Sequence, residues 1–250
     1  MNELIYLLLI IIPVSGFVLE RYLEYLNAGM WSEKLPEKLK GICDEEEYRK
    51  TMLYYRDNKK LSLWSSSFNL AVIIIMIVSG GFALVDRIAH SAGENMVFVA
   101  LVFFGIIGFA SELINIPFSW YDTFVIEKKH GFNTMKTRTF ITDQLKSWFI
   151  ALLVGIPVLG LITWIYYETG KGFWLYAWGV ITLFSVFINY FYSSWIVPLF
   201  NKQTPLIDSP LRTKIEAFAR KAGFRLKNIY VIDGSKRSTK ANAYFAGFGA

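Results

Sequence analysis

The chain alternates between long apolar runs and polar, charged stretches. The first run is Leu4–Leu19, extended by Tyr22, Leu23 and Leu26. Four more follow at Leu63–Val85, Met96–Trp120, Trp148–Tyr167 and Phe173–Phe200. Each supplies about the 20 residues that a helix needs to cross roughly 30 Å of hydrocarbon. In lipid, runs of this length satisfy their backbone only as helices. The pattern predicts a membrane domain over 1–200 with five transmembrane helices and polar loops at 27–60 and 121–144. Glu3 precedes the first run, with no Lys or Arg and no clear small-residue cleavage site, so the run reads as a retained helix and not a signal peptide.

The polar stretches carry patterns of their own. In loop 27–60, Asp44 can cap a helix with Glu47 as capping-box partner, and Tyr48, Met52 and Tyr55 fall on one face. This predicts a surface helix leading into the second span. After Phe200 the composition changes, and Pro198, Pro205 and Pro210 punctuate the exit. Ser209 and Pro210 open a helix over 210–222 that Gly223 closes. Leu211, Ile215, Phe218, Ala219 and Ala222 make its apolar stripe, which is expected to pack on two strands at about 229–233 and 241–245. Asp233-Gly234 supplies a turn between the strands, and Lys236, Arg237 and Lys240 form a basic cluster. The fold class is therefore an all-α polytopic membrane protein followed, over 201–250, by the beginning of an α+β domain. One helix and two strands make a small core for independent stability.

Composition fixes the solvent. A 54% hydrophobic content and a mean hydropathy of +0.38 exclude an ordinary soluble domain. The net charge of +6 reads as cytoplasmic loops, with no nucleic-acid partner. Eight Lys and Arg lie in 27–60, one in 86–95, four in 121–144, one in 168–172 and ten after Phe200. That alternation places the N-terminus outside and the tail in the cytoplasm. Cys43 is the single cysteine, so no intrachain disulfide and no cysteine-based metal site can form.

Candidate chemistry is sparse. Glu112 and Asn115 sit at i, i+3 within the third span. A carboxylate there costs at least about 2.5 kcal/mol facing lipid, so Glu112 points to water or to a partner. Two readings stand: the wall of a hydrated chamber, or a near-interface carboxylate paired with a loop Lys. Thr182, Ser185, Asn189 and Ser193 form a polar stripe on the fifth span, which either lines a chamber or glues helices together. His90 and His130 are the only histidines, expected on opposite sides of the membrane and unable to share a metal. His130, beside Lys128 and Lys129, reads as a lone surface histidine. No Gly-x-Ser-x-Gly, P-loop or dinucleotide fingerprint occurs. The residues by themselves contain no complete catalytic constellation and no metal site.

The string Ile229–Gly249, IYVIDGSKRSTKANAYFAGFG, resembles the segment preceding the zinc helix of type 1 CAAX prenyl proteases, integral-membrane zinc metalloendopeptidases. The likeness extends to Pro117, Tyr121, Phe124–Asn133 (FVIEKKHGFN), Phe140, Ile141, Asp143, Lys146 and Pro198–Leu206 (PLFNKQTPL). The chain departs at Thr239-Lys240-Ala241, where members often have Ser-His-Ser, so no histidine role carries over.

The resemblance implies zinc as cofactor, held by a His-Glu-x-x-His motif and a later glutamate that this sequence, ending at Ala250, does not contain. No catalytic residue and no zinc ligand is therefore assigned, and the chain is expected to be inactive alone, as the N-terminal membrane portion of the enzyme. The substrate side does carry over. Asn242, Ala243, Tyr244 and Phe245 resemble an edge strand on which an extended peptide lies, with Asn242 as a clamp on a peptide carbonyl. Glu112, Asn115 and Asn189 are the expected chamber lining. The implied partners are the bilayer and a peptide or protein C-terminus of the Cys-a-a-X type, with its prenylation left open. Two other readings remain: an inactive membrane scaffold or lipid-binding module, and a small transporter suggested by Glu112 and the fifth-span stripe. The transporter reading lacks an inverted repeat.

Overall fold

A computed structural model describes residues 3–29, 35–37, 40–41 and 44–245. The chain divides into two compact units, Met1–Gly131 and Phe132–Ala250. The expected boundary near residue 200 falls inside the second unit.

The first unit is helical. Helix α1 (Glu3–Gly29) is largely apolar up to Leu19 and carries the ion-paired Glu20, Arg21 and Glu24 in its last third. Its end is tied to α2 (Glu45–Val78), where Lys59 Nζ donates to the Glu24 carbonyl at 3.0 Å. Asp44 caps α2 as expected, its Oδ1 accepting from the Glu47 N–H at 2.7 Å, and Glu45, Glu46 and Glu47 fill the first turn. The expected surface helix and second span are one continuous helix of 34 residues. At 1.5 Å per residue that is about 50 Å, so the charged half projects beyond a hydrocarbon core of about 30 Å.

The apolar run Leu63–Val85, expected as one span, is broken. Helix α2 stops at Val78, and Gly80 takes the left-handed φ of 72° that ends helices. A Cβ on Gly81 would lie 2.5 Å from Met76 Sδ and 3.2 Å from Met76 Cα, so the tight reversal favours glycine there unless the Met76 side chain moves aside. Hydropathy gives way to Ser79-Gly80-Gly81, and Gly81–Ala92 becomes the short amphipathic helix α3. Its Val85 and Ala89, with Val99 of α4 (Met96–Tyr121), are among the few buried side chains. Asn95 caps α4 through bonds from the Val97 and Phe98 N–H groups at 3.0 and 3.1 Å. Helix α4 then widens into a π-helical turn, Asp122–Glu127.

In the second unit, α5 (Thr137–Thr169) turns at Gly170, φ 54°, into α6 (Phe173–Phe191), and the two helices pack together. Tyr166 meets Phe173 edge-on at 5.1 Å across this turn. A second π-helical turn, Tyr192–Ile196, joins α6 to α7 (Val197–Phe200). Pro198 lies just beyond it and lacks the N–H that would bond to the Ser194 carbonyl.

Among the described residues, four helical stretches are long and apolar enough to cross a membrane: Glu3–Gly29, Glu45–Val78, Met96–Glu127 and Thr137–Phe200. The last, 64 residues long, contains α5 and α6, and counting them separately gives the five expected spans. Their apolar windows are only 0% to 6% buried, which lipid explains and water does not.

Beyond Phe200, β1 (Gln203–Pro205) pairs antiparallel with β2 (Tyr230–Ile232), in the register Thr204 opposite Val231. Between them, Ser209 caps α8 (Pro210–Lys221), its Oγ accepting from the Arg212 N–H at 3.3 Å. Only Ile215 and Ala219 of the expected stripe are covered, while Phe218 is 73% exposed. Two three-residue strands offer too little surface for the rest.

The expected strand at 241–245 does not form, and β2 pairs with β1 instead. The cause lies upstream. Thr134 N–H bonds to the Arg237 carbonyl, Thr239 N–H bonds to the Phe132 carbonyl, and Asn133 bridges Ser238. Loop 132–134 thus takes the backbone of 237–239 and carries the following residues away from the β2 edge.

Candidate functional site

The segment expected to bind substrate borders a cavity of about 500 Å³ in the second unit. Asn242 and Tyr244 form one side, and Ile232 contributes from β2. Tyr192, Ile196 and Phe200, from the π-helical turn and α7, form the other. A π-helical turn re-aims the side chains it carries, and such turns are frequent at functional sites. The wall is therefore aromatic and apolar, with the Asn242 and Asn201 amides as its polar points. Asn242 is exposed, and its Oδ1 accepts from the Ala243 N–H at 2.8 Å. Ala243 and Tyr244 are exposed as well, and the Phe245 ring lies 4.9 Å from Phe224.

Just ahead of this segment lies a shielded ion pair. Arg237 sits in the turn after β2, and its Nε and Nη2 donate to Asp143 Oδ2 and Oδ1 at 2.7 and 2.9 Å. Its Nη1 donates to Asn201 Oδ1 at 2.7 Å. The fork matches a carboxylate in geometry and charge. Nearby, Lys146 Nζ donates to the Leu199 carbonyl at 3.0 Å, and Thr134 Oγ1 to the Ser235 carbonyl at 2.5 Å. Asp233 stabilises the turn by accepting from the Ser235 hydroxyl and N–H at 2.6 and 3.1 Å. The hydroxyl first, and then the backbone bond, hold its carboxyl below the ordinary aspartate range.

The residues expected to line a chamber have separate surroundings. Asn115 is half-buried, and its Oδ1 accepts from Asn69 Nδ2 of α2 at 3.1 Å. It is an interhelical bond of the kind that locks membrane helices together. Glu112, three residues away, is exposed. Asn189 is also exposed, and its Nδ2 bonds back to the Ser185 carbonyl at 2.8 Å.

His130 corrects an expectation. It is no lone surface histidine: its side chain is 10% exposed and its Nε2 lies 2.9 Å from Asp57 Oδ2. Lys129 Nζ reaches the same oxygen at 2.6 Å. The Tyr54 ring meets the imidazole edge-on at 5.2 Å, while its hydroxyl donates to Glu127. The cluster pins the end of the π-helical turn 122–127 to α2. Asp57 and His130 stand 73 residues apart, and no local pattern in the sequence joins them.

Zinc would need three or four His, Cys, Asp or Glu side chains converging on one point. Among the described residues no cluster of three or more His, Cys, Asp or Glu could hold a metal. The Lys129 ammonium already occupies the Asp57 oxygen that faces His130. His90 pairs with Asp86 on exposed turns of α3. The described residues do not fit zinc.

A family model described as the CAAX prenyl protease N-terminal region, with five membrane helices, matches residues 25–202. The CAAX prenyl protease 1 homolog of Mus musculus is 35% identical over 222 residues, covering 86% of this chain and 47% of that protein. The probable CAAX prenyl protease 1 of Schizosaccharomyces pombe is 38% identical over 256 residues, covering 94% and 54%. The crystal structure of S. mikatae Ste24p aligns with a TM-score of 0.86 at 34% identity, over 97% of this chain and 58% of that one. The chain spans about half the length of the curated relatives it matches. With the family match running over residues 25–202, well over half of its length, this multi-pass membrane chain belongs to the CAAX prenyl protease family.

Proposed function

We propose that these residues are the membrane region and the first peptidase-domain segments of a zinc metalloendopeptidase that cleaves C-terminal peptides of the Cys-a-a-X type. The observation that carries the reading is the wall formed by Asn242 and Tyr244 against Tyr192, Ile196 and Phe200. Residues 241–245 belong to no strand of the described sheet, so their backbone can pair with an extended peptide. The Asn242 amide takes a peptide carbonyl, and the apolar cavity takes an aliphatic side chain or part of a prenyl chain. Ala243 and Phe245 complete the binding segment. Zinc belongs to this reading through the family, and its ligands lie outside the described residues. No hydrolytic step is assigned to them: their part is to bind and orient, and the 250 residues alone are inactive.

The N-terminus lies outside the membrane and the tail in the cytoplasm, as the Lys and Arg distribution favours. Glu112 lines a hydrated wall in the first unit, beside the Asn69–Asn115 bond that closes it, and Asn189 does so in the second. The peptide reading is tested by photo-crosslinking. A Cys-a-a-X peptide carrying a photoreactive aliphatic residue should label 241–245 or Tyr192–Phe200 in lipid nanodiscs, and excess unlabelled peptide should compete. Labelling scattered over the helices without competition would sink the reading.

A further inference from the structure

We infer that Arg237 is a positioning residue for substrate: its grip on Asp143 and Asn201 sets where Asn242 and Tyr244 stand against the end of α6. The inference rests on the peptide-binding reading above, and it adds a residue that contacts no substrate itself.

Three observations converge on it. The first is the fork. Arg237 makes three side-chain bonds, two to Asp143 near the start of α5 and one to Asn201 just after α7. Both ion-pair partners are largely shielded, with side chains 20% and 16% exposed. A shielded, bidentate pair resists solvent competition in a way a surface pair does not.

The second is where the fork sits. Asn201 borders the cavity with Tyr192, Ile196 and Asn242. Its backbone N–H bonds to the Val197 carbonyl at 2.9 Å, so its amide moves with α7. The same arginine therefore holds the helical wall through Asn201 and carries the opposite wall on its own chain.

The third is what lies between Arg237 and Asn242. The Arg237 carbonyl accepts from Thr134, Ser238 bridges Asn133, and Thr239 N–H bonds to Phe132. Lys240 then stacks over the Phe132 ring at 4.8 Å. The path from the guanidinium to Asn242 is five residues long and fixed for most of it. Residues 241–245 have no ladder of their own, so this anchorage supplies the register that a strand would otherwise give. Lysine is a poorer fit than the arginine, because its ammonium lacks the planar fork that meets both Asp143 oxygens while a third donor reaches Asn201.

The test reads geometry and peptide binding separately. In a Cys43→Ser background, Ile196→Cys and Asn242→Cys place one thiol on each wall. A short bifunctional maleimide then reports how often the walls face each other in nanodiscs. Arg237→Gln should slow crosslinking by about tenfold, the scale of a lost charge-assisted hydrogen bond. Arg237→Lys should fall between the two, and helical circular dichroism should stay unchanged. An unchanged crosslinking rate in Arg237→Gln overturns the inference. Should that variant lose its helical signal, the same comparison is read on Arg237→Lys, where a slowed rate supports the inference and an unchanged one overturns it. Peptide affinity is measured in parallel with Asn242 intact. Slowed crosslinking with unchanged affinity would uphold the positioning of the wall while removing its link to substrate, and so would overturn Arg237 as a substrate-positioning residue. A peptide that fails to bind the unsubstituted protein overturns the peptide-binding reading itself, which separates the two failures.

Discussion

Arg237 grips Asp143 with two hydrogen bonds of 2.7 and 2.9 Å across 94 residues of sequence. The pair ties the turn after β2 to the start of α5, and it is among the longest-range side-chain contacts in the second unit. Its consequence for stability is direct. Asp143→Ala leaves the guanidinium shielded with one partner fewer, a loss of about 1–3 kcal/mol. Thermal melting in detergent should show a lower midpoint for Asp143→Ala than for a substitution at exposed Lys214. Equal midpoints would mean that solvent replaces the aspartate.

Asp57 and His130 make the corresponding tie in the first unit, at 2.9 Å. Asp57→Ala and His130→Ala should each destabilise, and the double variant should cost less than their sum. The coupling is expected at about 0.5–3 kcal/mol, the range for residues in one network. Strict additivity in a double-mutant cycle would show that the two side chains act independently.

The break between α2 and α3 depends on glycine. Gly80 has φ 72°, and a Cβ at Gly81 meets Met76 Sδ at 2.5 Å. Gly80→Ala should cost about 1 kcal/mol through left-handed strain. Gly81→Ala should be rescued in part by Met76→Ala, which removes the sulfur in its way. Melting midpoints of the three variants check this, and an absence of rescue would place the strain in the backbone.

Asp233 titrates below an ordinary aspartate because Ser235 bonds to its charged form. A depressed folded-state value means that the turn's contribution to stability is present above the unfolded aspartate pKa and is lost as pH falls through the folded one. Ser235→Ala removes the hydroxyl bond, so the Asp233 carboxyl should titrate at higher pH. Carboxyl carbon NMR of selectively labelled protein reads this shift, and an unmoved titration would contradict the bond.

Much of the architecture was legible in the sequence because membrane helices report themselves by length and apolarity alone. Asp44 and Ser209 announced their helices through local capping chemistry, which needs only three residues of context. The Ser79-Gly80-Gly81 break was present as a turn signal but was outweighed by the apolar residues around it. Phe218 and Leu211 looked like a core stripe by period, but periodicity cannot tell how much sheet is there to cover them. The strand expected at 241–245 failed for a non-local reason, since loop 132–134 claims the backbone just ahead of it. Both ion-pair clusters were invisible for the same reason: 73 and 94 residues separate their members.

On the proposed function, this membrane region recognises a Cys-a-a-X peptide through Asn242 without needing zinc among its own residues. The most direct measurement is a titration of a fluorescent Cys-a-a-X peptide, farnesylated and unmodified, onto the protein in nanodiscs with a metal chelator present. Binding should be saturable, survive the chelator, weaken by about tenfold in Asn242→Ala, as loss of one hydrogen bond to a peptide carbonyl would give, and be unaccompanied by cleavage. Binding that is absent, or that is indifferent to Asn242, would contradict the proposed function.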